Sequence, residues 1–229
     1  MTHSSVTPIT EDDIAHFLAN TPGFFERHAE LLASVTMASP HGQRAVSLQE
    51  RQAEMLREKI KGLEHRIMDM VRHGHENAAI THKIHQWSCE LLAVQDLAQL
   101  PRAVEQGMGS LFDVPQVALR LWGVADAHVG QPFAQGASED VRSFASSLTM
   151  PYCGPNLGFE ATAWLAEPAQ VKSLALLPLR RGAIDAADQP AFGLLVLGSP
   201  DAHRFEATMG TDYLVRMAEL ASAALSILL

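Results

Sequence analysis

The longest regular pattern in the chain runs from Val46 to about Leu92. Leu56, Ile60, Leu63, Ile67 and Met70 recur at alternating spacings of four and three. That rhythm lays one apolar seam along one face of a helix. Ser47-Leu48-Gln49-Glu50 ahead of it has the form of a capping box, with Ser47 accepting from the Glu50 amide and Glu50 reaching back to the Ser47 amide. Gly74, Asn77 and Thr81 take the next seam positions, and apolar residues resume at Ile84 and Leu91. An unbroken helix of this length spans on the order of 70 Å. It outruns a small domain, so part of the seam needs a partner, and a second copy of the same helix is the simplest one. Leu56, Ile60, Leu63, Ile67 and Met70 are therefore the expected homodimer interface. Gly62 and Gly74 each weaken the helix by about 1 kcal/mol relative to Ala, which makes His73-Gly74-His75 the expected place for a bend or break. Asn77 reads either as a polar residue that fixes helix register or as a surface residue beside such a break.

Ahead of this helix the pattern is shorter. Thr2 to Pro8 reads as disordered. Thr10-Glu11-Asp12-Asp13 caps a short helix with Ile14, Phe17 and Leu18 on one face. Thr21-Pro22 starts a second, with Thr as cap and Pro at the first helical position, carrying Phe24, Phe25, Leu31 and Leu32. Helices this short are unstable alone. Ser39-Pro40-His41-Gly42 reads as the turn into the long helix.

From Asp96 the texture changes. Leu97, Leu100, Val104, Met108, Leu111 and Phe112 mark another amphipathic helix, ended by Asp113-Val114-Pro115. Gln116 to Trp122 alternates as a strand, with Val117, Leu119 and Leu121 facing one way and Ala118, Arg120 and Trp122 the other. Ser138 to Leu148 reads as a short helix, Pro151 to Pro155 as a turn, and Thr162 to Leu165 as a short strand. Ser173 to Leu179 and Phe192 to Ser199 are near-continuous apolar strands joined by a Gly/Ala/Asp-rich hairpin loop. Thr211 to Leu228 is helical. The result is an α+β chain: short helices over 1–45, a long helix over 46–93, and a domain with a central antiparallel sheet over 94–229.

Composition narrows the function. Hydrophobic residues make up 47 % and charged residues 19 % of 229, an ordinary globular balance. No apolar run reaches membrane-span length, and the polar N-terminus is expected to be no secretory signal. Two cysteines, Cys89 and Cys153, make no disulfide framework. Together these place the expected locale in the cytoplasm. The net charge of −9 argues against nucleic-acid binding. Residues 41–73 nevertheless hold seven of the 17 basic residues against five of the 26 acidic ones, leaving 10 and 21 elsewhere. The helix is mildly basic, as a solvated face or as an arm for an acidic partner.

Catalytic strings for phosphate loops, zinc proteases, serine hydrolases and redox dithiols are missing. His82, His85 and Cys89 share one helix face at i, i+3 and i+7, and zinc accepts such ligands. No fourth ligand is evident, so the face is read as polar helix surface with a buried Cys89, and no metal is assigned. No cofactor is named by the sequence.

Several stretches together resemble one bacterial family. They are FLANTPGFFERHAELL (17–32), PHGQRAVSLQERQAEMLREKIKGLE (40–64), VALRLW (117–122), CGP (153–155), SLALLPL (173–179) and FGLLVLGSPDAHRFEATMGTDYL (192–214). In content and order the chain resembles the DUF484 family, whose C-terminal part has a GAF-like fold. The resemblance implies a GAF-like sensory domain behind a helical arm, often dimeric, and it carries over no catalytic residues. The Asn-Lys-X-Phe-X-Asp-Glu signature of cyclic-nucleotide GAF domains is absent, which argues against that ligand class. GAF ligands sit between the sheet and its covering loops. By that implication Arg120, Trp122, Tyr152, Cys153, Phe159, Trp164 and Arg180 are the candidate ligand-binding residues. The competing reading makes the tryptophans core and Arg120 a surface or ion-paired strand residue. Ser199-Pro200-Asp201 and Arg204 are read as holding the turn before the last helix. The expectation is a non-enzymatic sensory or regulatory protein that dimerises through its long helix and takes a small molecule in the GAF pocket. The rival is an interaction scaffold, bound to a protein partner, whose pocket is filled by its own side chains.

Overall fold

All seven positions of Ser173–Leu179 and all seven of Gly193–Ser199 are buried. Such unbroken apolar runs suit strands covered on both faces, and they are the two central strands of the sheet. The computed structural model describes residues 9–34, 36–38, 45–186, 189–206 and 210–229, with the side chains of 32–49 outside the description. The segment 2–8, the turn at 39–42 and the Ser47 cap therefore lie outside the described residues.

The chain divides into two compact units, 1–74 and 75–229. The first holds α1 (Glu11–Asn20), α2 (Gly23–Arg27), α3 (Ala29–Ser34), the antiparallel pair β1 (Thr36–Ala38) and β2 (Ala45–Ser47), and the first part of α4 (Leu48–Leu92). Thr10 caps α1 reciprocally with Asp13: the Asp13 amide donates to Thr10 Oγ1 at 3.2 Å and the Thr10 amide to Asp13 Oδ2 at 2.9 Å. At α2 the cap position falls on Pro22, with no side-chain hydrogen bond. Phe17 of α1 meets Phe24 of α2 edge to face, ring centres 5.8 Å apart. α4 is one helix of 45 residues and passes through Gly74 without a break. Its summed preference outweighs one glycine.

The second unit holds the end of α4, then α5 (Leu100–Phe112), β3 (Gln116–Leu121), α6 (Glu139–Ser147), β4 (Tyr152–Pro155), β5 (Ser173–Leu179), β6 (Gly193–Ser199) and α7 (Asp212–Leu225). The sheet is antiparallel throughout, in the order β3-β6-β5-β4. Two local expectations are corrected by this topology. The Pro151–Pro155 stretch carries an edge strand, which tolerates Pro and Gly because one side of its ladder is open. Thr162–Leu165 is no strand; Glu160–Trp164 forms a 3-10 turn.

The two sheet faces are packed differently. On one, Leu119, Leu121, Ala175, Leu177, Leu195 and Leu197 meet α5, α7 and the end of α4. Trp87 and Leu91 of α4 are part of that core, so the sheet domain draws on helix residues ahead of position 94. On the other, Ala118, Leu174, Leu176, Leu194 and Val196 meet Val141 and Ala145 of α6 and the loop after β4. Ser199, Asp201 and Arg204 do hold the turn after β6. The Asp201 amide donates to Ser199 Oγ at 3.1 Å, the His203 amide to Asp201 Oδ1 at 2.9 Å, and Arg204 Nη2 to the Phe112 carbonyl at 2.8 Å. No helix among the described residues is long and apolar enough to cross a membrane.

Candidate functional site

The α6 face of the sheet gathers most of the candidate residues. Alternation along β3 sends Ala118, Arg120 and Trp122 to this side. Trp122 Nε1 donates to the Ala191 carbonyl at 2.6 Å, which fixes the indole at the sheet edge. Ser138 caps α6, accepting from the Val141 amide at 3.2 Å and donating to Glu160 Oε2 at 2.7 Å. This cap aligns α6 so that Val141, Phe144 and Ala145 lie on the sheet.

Asn156 shapes the loop after β4. Its Oδ1 accepts from the Gly158 amide at 3.1 Å and from Thr162 Oγ1 at 3.2 Å, while its Nδ2 donates to the Val171 carbonyl at 3.2 Å. The reversal needs φ of +82° at Gly158, a conformation that glycine adopts freely. The loop then delivers Phe159 and Trp164 to the sheet. Phe159 sits 5.0 Å from the Tyr152 ring and 5.6 Å from Phe144. The Arg120 guanidinium lies 5.6 Å over the Trp164 ring, and Arg142 lies 6.0 Å over Trp122. Two cations thus rest on two indoles, an arrangement favoured by the ring quadrupole.

Two candidates stand apart from this group. Cys153 faces the opposite side and packs against the helical core, because neighbours in a strand point to opposite faces. Burial pushes its thiol up to about 11, so it stays protonated at neutral pH and is a weak nucleophile. Arg180 follows β5 and is almost fully buried, at 1 % exposure. Its Nη2 donates to the carbonyls of Ala145, Ser146 and Leu148 at the end of α6, and its Nη1 to Ala186 at 3.1 Å. A cation there meets the negative end of the helix dipole. Arg180 therefore fastens α6 and the hairpin loop to the sheet.

Arg142, Phe144 and Asn156 also build this face, and the sequence pattern alone did not single them out. The Ser138 cap followed by apolar positions 141, 144 and 145 was the available signal for Phe144. On this side a cavity of about 160 Å³ is lined by Asp140, Val141, Phe144, Phe159, Glu160 and Ala161. On α4, Cys89 is exposed rather than buried, since its face of the helix looks away from the Trp87 core. Among the described residues, no three His, Cys, Asp or Glu side chains gather closely enough to hold a metal ion.

The family model described as "Protein of unknown function, DUF484" matches residues 3–226. The chain belongs to the DUF484 family. No curated protein matches this DUF484 chain. Solved structures similar to it include the GAF domain of a putative sensor histidine kinase from Pseudomonas syringae pv. tomato, at 19 % identity over 68 % of this chain and 91 % of that one, with a TM-score of 0.43. A second is the GAF domain of a phosphoenolpyruvate-protein phosphotransferase from Coxiella burnetii, at 15 % identity, 66 % and 94 % coverage and a TM-score of 0.44. A third is a free methionine-R-sulfoxide reductase from Neisseria meningitidis in complex with its substrate, at 13 % identity, 64 % and 88 % coverage and a TM-score of 0.43.

Proposed function

We propose that this DUF484 protein is a cytoplasmic, non-enzymatic regulatory module of GAF type that self-associates through α4. The observation that carries this reading is the exposure of the α4 seam. Leu56, Ile60, Leu63, Ile67 and Met70 are 47 % to 73 % exposed, on the four-three spacing that a coiled coil buries. Burying ten such half-exposed side chains in a dimer contributes on the order of 10 kcal/mol. The regulatory signal is then a change in the helix pair.

For the α6 face, one reading makes Arg120, Trp122, Tyr152, Phe159 and Trp164 ligand-binding residues; of the other two candidates, Cys153 faces the helical core and Arg180 donates to backbone carbonyls. The second reading, in which the protein's own aromatics fill that side and the module works through a protein partner, has a specific observation in its favour. Trp122 Nε1 is engaged by the Ala191 carbonyl, Arg120 and Arg142 rest on the two indoles, and Phe159 packs between Tyr152 and Phe144.

Native mass spectrometry of freshly purified protein, set against the denatured mass, tests both. A dimer without added mass is the expected result. A monomer at micromolar concentration removes the self-association reading, and a dimer whose added mass is lost on substitution of Arg120 or Trp164 turns the α6 face back into a ligand site.

A further inference from the structure

A cavity of about 780 Å³ opens on the other side of the sheet, within the second unit. Its accessible apolar wall is Ile80 of α4 and Phe112 of α5, both partly exposed, backed by Met108, Leu197, Phe205 and Met217, which are packed beneath them. Its volume falls in the range of small-molecule sites. The rim is charged. Lys83, Arg204 and Arg216 stand against Asp113 and Asp212, an excess of positive charge in a chain whose net charge is −9. Lys83 Nζ lies 3.5 Å from Asp113 Oδ2, which offsets that pair. Arg204 is held in place through Nη2, which donates to the Phe112 and Asp113 carbonyls at 2.8 and 3.3 Å. Arg216 is held by stacking, its guanidinium 5.7 Å over the Tyr213 ring. Asp212 and Tyr213 begin α7, a 14-residue helix whose cap position, Thr211, makes no side-chain cap bond. Its first-turn amides add positive potential at the same rim.

We propose that this cavity binds an amphipathic carboxylate, with its apolar body on Ile80 and Phe112 and its carboxylate held by Arg204 and Arg216. Charge selects the head group, since charge-assisted bonds to arginine are the strong ones. Volume and the apolar wall of Ile80 and Phe112 select the body. The site is separate from the aromatic α6 face and does not depend on the reading given for it.

Isothermal titration of the full chain with sodium decanoate, below its micelle concentration, tests this, with 1-decanol as the neutral comparison. Decanoate is expected to bind one per chain and decanol about tenfold more weakly or worse. Arg216 is exposed, so substitution leaves the fold intact. R216E is expected to weaken decanoate about tenfold or more, and R216K to retain most of the affinity. No binding of decanoate, equal binding of decanol, or an unchanged R216E overturns the proposal. So does a decanoate affinity that falls as protein concentration rises, which assigns the cavity to a second copy.

Discussion

Trp87 Nε1 lies so close to the backbone of Gly107 that a β-carbon built on Gly107 would stand 2.2 Å from it. The indole is fully buried, and its edge meets Phe112 with ring centres 5.9 Å apart. This contact ties α4 to α5 and so anchors the end of the long helix in the sheet domain.

Two glycines on helices separate two opposing effects. A β-carbon placed on Gly62 of α4 would meet nothing within 4 Å, so G62A should gain the helix preference of about 1 kcal/mol. G107A gains the same preference but drives a methyl into a locked indole, and overpacking of that kind costs about 1–3 kcal/mol or more. Packing wins at Gly107. Thermal unfolding followed by circular dichroism should show a raised midpoint for G62A and a lowered one for G107A. An unchanged G107A would mean that the indole is free to shift.

These contrasts also mark what is legible in the sequence. Leu56 to Met70 declare α4 by spacing alone, and the apolar runs at 173–179 and 193–199 declare the central strands. β4 is hidden because Pro151, Gly154 and Pro155 are turn residues, and only its place at a sheet edge makes them acceptable. The hidden strand also misplaces Cys153: once Tyr152–Pro155 is a strand, Tyr152 and Cys153 cannot share a face. Trp87 escapes notice because its exposed neighbours on α4 are polar, and the partner that buries it, Gly107, has no side chain to signal the contact. The aromatic face can be read from the alternation of Ala118, Arg120 and Trp122, whereas the carbonyl cluster that holds Arg180 exists only after α6 docks.

The two thiols should differ sharply in reactivity. Cys89 is exposed, whereas Cys153 is half-buried with its thiol pushed up to about 11. At pH 8 only about one Cys153 in a thousand is thiolate. Ellman's reagent on the native protein should therefore show one fast thiol per chain, abolished by C89S, with the second released on denaturation. Two fast thiols in the native protein would contradict the buried position of Cys153.

Glu105 gives the fold a pH dependence. Burial raises its carboxyl above the ordinary value, and the backbone hydrogen bond with Leu119 and the charges of Arg120 and Arg102 pull it back only in part. A raised folded-state value means that the protonated form favours the fold. Its stabilising contribution is full below the ordinary carboxylate value and is lost as pH rises through the folded-state value. E105Q should therefore raise the unfolding midpoint at pH 7, with the gain fading toward pH 4. A gain of the same size at both pH values would remove ionisation as its cause.

Arg180 carries the largest expected loss. Its guanidinium serves four carbonyls, those of Ala145, Ser146, Leu148 and Ala186, and its own amide donates to Ser222 Oγ at 3.1 Å. R180M removes the charge and leaves the end of α6 without donors in a buried setting, at about 1–3 kcal/mol for each carbonyl that water cannot reach. R180K keeps the charge but replaces the planar fork by one ammonium, which cannot span carbonyls on both α6 and the hairpin loop. Both variants should unfold at lower denaturant concentration, with R180M the lower of the two. Hydrogen exchange should locate the loss first in α6 and in the loop that carries Ala186. If instead R180M matches the parent protein in denaturant, the four bonds contribute nothing net, and Val141, Phe144 and Ala145 hold α6 to the sheet without them.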